Sequence, residues 1–213
     1  MKTSVSPQLV QRLVDGLARR NIPGDREGIH VSDLTLCLRK SYYSKTMPRR
    51  PTPATLGYYV DGSRRDLVIK GLLGTKVTAA EKDGIWFAPD SVDNEGNPIE
   101  IKTTRAAEGV SPHHITQLTY YMVLSGKNTG HLVIQRVGFR KNDVPFEAYN
   151  FDFEPGEMQR YRQEMLERRD SLKSALENSD PRIAPSVRSS PEFNWLCKSC
   201  PWSEECQSIK DIS

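Results

Sequence analysis

A chain of 213 residues is long enough to bury one sizeable core. Its 37% hydrophobic and 27% charged residues exclude a disordered polyelectrolyte, and no apolar run approaches the ~20 residues that a bilayer span needs. Met1 to Pro7 holds no apolar stretch resembling a signal peptide, so a cytoplasmic location without membrane attachment is expected. The net charge of +3 says little, but residues 1–50 hold ten Lys/Arg against four Asp/Glu, with Arg39, Lys40, Lys45, Arg49 and Arg50 crowded together. Such a cluster suits either phosphate contacts or a solvated helix face.

In chain order, Ser6-Pro7 predicts an N-cap and first helical residue, with Leu9, Val10, Leu13, Val14 and Leu17 on one face. Ser32 is expected to cap a short helix carrying Cys37 and the basic cluster. Thr52-Pro53 opens a helix running towards Gly71–Gly74. Strands are predicted over Lys76–Lys82, Ile85–Val92 and Pro98–Thr103, separated by Asp83-Gly84 and by Asn94-Glu95-Gly96-Asn97. Ser111-Pro112 opens a helix that Gly126 ends. Two further strands, Gly130–Phe139 and Phe146–Phe153, flank a Lys141-Asn142-Asp143 turn. A last long helix from Pro155 to about Glu177 presents Met158, Tyr161, Met165, Leu172 and Leu176 as a thin apolar stripe suited to core packing. A Pro/Ser-rich linker, Asp180–Asn194, then leads to a cysteine-bearing tail. This order predicts an α/β fold with one mixed central sheet flanked by helices.

The chemistry concentrates at Pro89-Asp90 and Glu100-Ile101-Lys102. Two strands joined by a Gly-containing turn bring Asp90 beside Glu100, and strand alternation sets Glu100 and Lys102 on one face with Ile99 and Ile101 behind. Two carboxylates and an ammonium make a site for a hard divalent cation such as Mg²⁺. Asp93 is a competing first carboxylate, but it sits in the turn. A surface salt bridge on a hairpin is the plain alternative. Gln117 and Tyr121, four residues apart, share a helix face. His113 and His114 begin that helix.

The arrangement resembles the PD-(D/E)XK nuclease superfamily, and the Gln117–Tyr121 pair resembles its RecB-type branch. The resemblance implies a restriction-endonuclease-like core in which Asp90, Glu100, Lys102, Gln117 and Tyr121 are catalytic. Gly62-Ser-Arg-Arg-Asp66 resembles that branch's Gly-x-x-x-His/Glu element. It would make Asp66 a metal ligand beside Asp90, Glu100 and the Ile101 carbonyl, although relatives often have His there. Arg39, Lys40, Arg64 and Arg65 are the expected DNA contacts.

Cys197-x-x-Cys200-x5-Cys206 gathers three thiols within ten residues, and Cys37 lies far upstream. Cysteines so spaced in a cytoplasmic protein point to metal. One distant and three clustered cysteines suit an iron–sulfur cluster better than zinc, which usually takes two close pairs; unrelated buried thiols remain the third reading. Val31 to Tyr43, the nuclease motifs and Trp195 to Cys206 together resemble the CRISPR-associated RecB-like exonucleases. That resemblance implies a four-cysteine iron–sulfur cluster (usually 4Fe–4S), Mg²⁺ or Mn²⁺, and cleavage of single-stranded DNA from an end. It also implies trimming of DNA for CRISPR spacer acquisition alongside integrase proteins. Recombination or repair outside CRISPR, and a non-catalytic iron–sulfur DNA-binding protein, are the competing readings. The expected organisation is an N-terminal helix over 1–28, a nuclease core with the first cluster cysteine over 29–180, and a linker with an iron–sulfur tail over 181–213. The oligomeric state is left open.

Overall fold

The computed structural model describes residues 7–20, 26–49, 51–74, 77–104, 109–138, 146–191 and 193–209. Among them, no helix is long and apolar enough to cross a membrane.

The N-terminal part is helical. Helix α1 (Pro7–Arg20) lies against α4 (Pro53–Leu73). A two-residue strand β1 (Ile29–His30) leads into α2 (Val31–Leu34) and α3 (Leu38–Thr46). Ser32 does not cap a helix. It lies inside α2, whose N-cap is His30, and Cys37 takes the N-cap position of α3. Thr52 caps α4 as its sequence predicts, its hydroxyl accepting from the Thr55 N–H at 3.2 Å. Gly74 closes that helix at φ 73°, a left-handed value that glycine adopts without penalty.

One mixed central sheet was the expectation, but the strands among the described residues form two mixed sheets. The first has the order β1-β3-β2, from β2 (Ala80–Lys82) and β3 (Ile85–Phe87). The second has the order β4-β5-β6-β7, from β4 (Ser91–Val92), β5 (Pro98–Thr104), β6 (Thr129–Arg136) and β7 (Phe146–Asp152). The reason lies in Ile85–Val92, which is not one strand. Ladder pairing stops at Phe87 and resumes at Ser91, and Pro89, which lacks an N–H to donate, sits in the gap.

Helix α5 (Pro112–Ser125) crosses β5 and β6 and is covered by α6 (Glu157–Glu177). All seven residues from Leu118 to Leu124 are buried, as expected of a helix enclosed by a sheet and another helix. The α6 stripe packs inward as predicted, with Met165 and Leu172 fully buried. On β6, Leu132 and Ile134 meet Leu118 of α5, while Val133 joins Ile99, Ile101 and Ile69 of α4. The second sheet is therefore sandwiched between α5 and α4. Two short helices, α7 (Trp195–Lys198) and α8 (Ser203–Gln207), end the described chain.

Candidate functional site

Antiparallel pairing sets Ser91 opposite Ile99 and Val92 opposite Pro98. Extending that register by one residue brings Asp90 alongside Glu100. Parallel pairing sets Glu100 beside Leu132 and Lys102 beside Ile134, so both polar residues share the sheet face that α5 covers. Glu100 is 1% exposed, and its Oε1 lies 2.5 Å from the Lys102 ammonium. Lys102 also donates to Gln117 Oε1 at 3.0 Å, and Gln117 Nε2 donates to the Tyr121 hydroxyl at 3.1 Å. The spacing of Gln117 and Tyr121 thus has a direct use. One helix turn carries a hydrogen-bonded chain that ends on the lysine. Burial foremost, and then the Glu100 charge, pushes the Tyr121 phenol above its usual range, so it stays protonated.

Asp90 is fixed twice. Its Oδ2 accepts from the Ile101 N–H at 2.8 Å, and its Oδ1 pairs with the Lys70 ammonium at 2.6 Å. Lys70 was not anticipated from sequence. Its signal was its place on α4, one turn after Asp66, on the helix whose Ile69 packs against β5. The side chains of Asp66 and Arg64 lie outside the described residues.

Asp93, the competing carboxylate, serves the turn. It accepts from the Glu95 and Asn97 N–H groups, from the Asn97 side chain and from His131. Burial alone would raise its pKa, but these donors bring it well below the carboxylate range.

His113 and His114 lie together at the start of α5, ring centroids 4.1 Å apart. Burial, and then the Lys102 charge, lowers the His113 pKa. Burial, His113 and Lys102 bring His114 down to about 3, so both imidazoles are neutral near pH 7.

The expected DNA-contacting residues divide. Arg39 is 2% exposed, and its guanidinium donates to the Pro181 and Ala184 carbonyls and reaches Cys206 Sγ at 3.9 Å. That placement corrects the expectation of a phosphate contact, because the side chain is committed to the interior. Lys40 lines the cavity that holds the cysteines. Arg65 pairs with Asp61 one turn earlier on α4, at 3.1 Å.

Cys37, Cys197, Cys200 and Cys206 line a single small cavity of about 50 Å³, together with Lys40, Tyr43 and Trp202. All four are free thiols. Burial, and then the charges of the other three cysteines, pushes the Cys197 thiol up; burial also raises Cys200. Among the described residues, no three His, Cys, Asp or Glu side chains converge closely enough to hold one metal ion.

The sequence matches no family model and no curated protein. Among solved structures, the fold is similar to that of a protein designated SSO0001, with TM-score 0.57 and 21% identity over 92% of this chain and 94% of that one. It is also similar to LHK-Exo in complex with dAMP, with TM-score 0.51 and 14% identity over 71% of this chain and 91% of that one. A further structure of LHK-Exo, an alkaline exonuclease from Laribacter hongkongensis, overlaps at TM-score 0.47 and 12% identity over 78% of this chain and 93% of that one. The first two likenesses show a shared α/β fold with mixed sheets flanked by helices.

Proposed function

We propose that the chain is a divalent-metal-dependent DNA exonuclease that acts on single-stranded ends. The observation that carries this reading is the convergence of Asp90, Glu100 and Lys102 from two adjacent strands, with Lys102 hydrogen-bonded to the Gln117–Tyr121 pair. LHK-Exo, a fold neighbour, is an exonuclease with a bound nucleotide, which favours the same substrate class.

The residues present suit a hard cation. Asp90 and Glu100 offer carboxylate oxygens, which a divalent cation would share with the Lys70 and Lys102 ammonium groups they face. Asp90, Glu100, the Ile101 carbonyl and Asp66 would hold Mg²⁺ or Mn²⁺. When bound, such an ion supplies Lewis acidity towards the phosphoryl oxygen and makes a coordinated water more acidic. The chain's own groups do the rest. The Ile101 N–H keeps Asp90 oriented. Glu100 and Gln117 keep the Lys102 ammonium in place to hydrogen-bond the attacking water and offset charge developing on the phosphate. Tyr121, protonated, keeps Gln117 turned towards Lys102.

The four-cysteine cavity suits an iron–sulfur cluster, with Cys37 joining the N-terminal helices to Cys197, Cys200 and Cys206 of the tail. Trimming of DNA for CRISPR spacer acquisition, with integrase proteins as partners, is the setting that the sequence resemblance implies.

A time course on end-labelled single- and double-stranded DNA, with Mg²⁺, Mn²⁺ or chelator, tests the activity. The protein is expected to shorten single strands from an end only with metal. Lys102→Ala is expected to reduce the rate by at least ~100-fold while the folded spectrum persists. Undiminished cleavage by that variant, free of contaminating nuclease, would refute the mechanism.

A further inference from the structure

A second feature adjoins Asp90 of the candidate site. Between α4 and residues 88–90 lies an open groove of about 730 Å³. Its lining includes Lys70 and Asp90, the ion pair of the candidate site. Apart from this pair, the described lining is apolar except for Thr78, and includes Leu67, Gly71, Val77 and Pro89. Leu67 is 74% exposed, so its apolar surface faces the opening rather than the core. Gly71 leaves the helix wall bare: a Cβ built there meets nothing within 4 Å.

This division of chemistry defines an occupant. Lys70 is a cation suited to a phosphate, and its partner Asp90 is one of the carboxylates proposed for metal-assisted hydrolysis. The rest of the described lining is mostly apolar surface, which suits the face of a heterocyclic base. A volume of this order is normal for a site that takes one small organic group. We infer that the groove receives the unpaired base of the terminal nucleotide, the one whose phosphodiester lies at Asp90 and Glu100. The inference rests on the exonuclease reading and extends it, because a base held in a duplex is stacked and paired and cannot enter. The groove is then what makes the site select single-stranded ends.

Two variants test this. Gly71→Leu fills the groove, and leucine is also the better helix former, so the fold is retained. Leu67→Ala removes one wall from an exposed position. Binding is measured by fluorescence polarisation with chelator present, using single-stranded oligonucleotides that end in a normal nucleotide or in an abasic one, at either the 5′ or the 3′ end. Cleavage of the same strands is measured separately with Mn²⁺. Wild-type protein is expected to bind the base-bearing end roughly 10-fold more tightly than the abasic end. Both variants are expected to lose that preference while binding abasic strands as wild type does.

Equal wild-type affinity for the two ends overturns the inference, as does a preference that survives Gly71→Leu. A change confined to the sedimentation coefficient of Gly71→Leu also overturns it, since the groove would then be a contact between copies. Base-dependent binding without cleavage at any metal concentration supports the groove and rejects the exonuclease reading. Cleavage without base dependence does the reverse.

Discussion

His114 is an imidazole held neutral beside an ammonium. Burial is the largest cause, followed by its neighbours His113 and Lys102, and together they bring its pKa from the usual 6.5 to about 3. A group whose folded pKa is depressed stabilises the fold above its unfolded value and loses that contribution as pH falls. For His114 the loss begins near pH 6.5 and continues towards the folded value, and His113 acts in the same direction. Thermal melts between pH 7 and pH 5 are therefore expected to show a falling Tm. His114→Phe should flatten that fall, and an unchanged slope would show that other groups cause it. This coupling was not legible in the sequence, where two adjacent histidines at the start of a helix carry no sign of their burial or of Lys102 nearby. The candidate site itself was more legible. Asp90, Glu100 and Lys102 are separated by spacings that a β-turn and strand alternation convert directly into proximity. Lys70 was missed because a lysine near the end of a helix is ordinarily a solvated charge, and only tertiary packing of α4 brings it onto Asp90.

At the scale of elements, the site depends on how closely α5 lies on β6. Gly130 marks the approach: a Cβ added there would fall 2.8 Å from Met122 Cγ and Sδ and 3.0 Å from Leu118 Cδ1. Met122 and Leu118 are both fully buried, so they have little room to give. Gly130→Ala is expected to destabilise the protein by about 1–3 kcal/mol, the usual cost of overpacking a filled core. Urea unfolding measures it, and the variant should also weaken cleavage, because the same helix carries Gln117 to Lys102. A stability equal to wild type would mean that the helix can lift away freely. The helices were readable from their caps and glycines, as Thr52 with Gly74 and Gly126 show. The sheet was less so. The segment Ile85–Val92, apolar as far as Pro89, reads as one strand, and the consequence of Pro89, which divides the strands between two sheets and frees Asp90 from the ladder, emerges only from the pairing.

On the scale of the whole molecule, the last described residues return to the first helices. Trp202 is buried and donates to the Met47 carbonyl at 3.0 Å, Arg49 reaches the Pro201 carbonyl and Glu205, and Arg39 spans from α3 to the carbonyls of 181 and 184. Arg168 of α6 binds the Leu34 and Leu36 carbonyls, just before Cys37. The four cysteines sit at the centre of this junction, so a group bound by all of them would join the ends of the chain through one point. Spacing alone suggested the partnership of the cysteines, but the role of Arg39 was hidden, since a basic residue in a basic run looks solvent-facing. The arginine, carbonyl and tryptophan contacts are each modest and polar, and ordering a loop-rich tail costs ~1–2 kcal/mol per residue in backbone entropy. A bound cluster would supply the stronger constraint. Protein purified without oxygen is expected to be brown, with iron and sulfide in comparable amounts, whereas colourless protein with stoichiometric zinc would reject the cluster. Cys37→Ala is expected to remove the colour and expose the segment 181–209 to limited proteolysis while α5 and the second sheet stay protected. A tail that resists protease in the colourless variant would show that the polar contacts suffice.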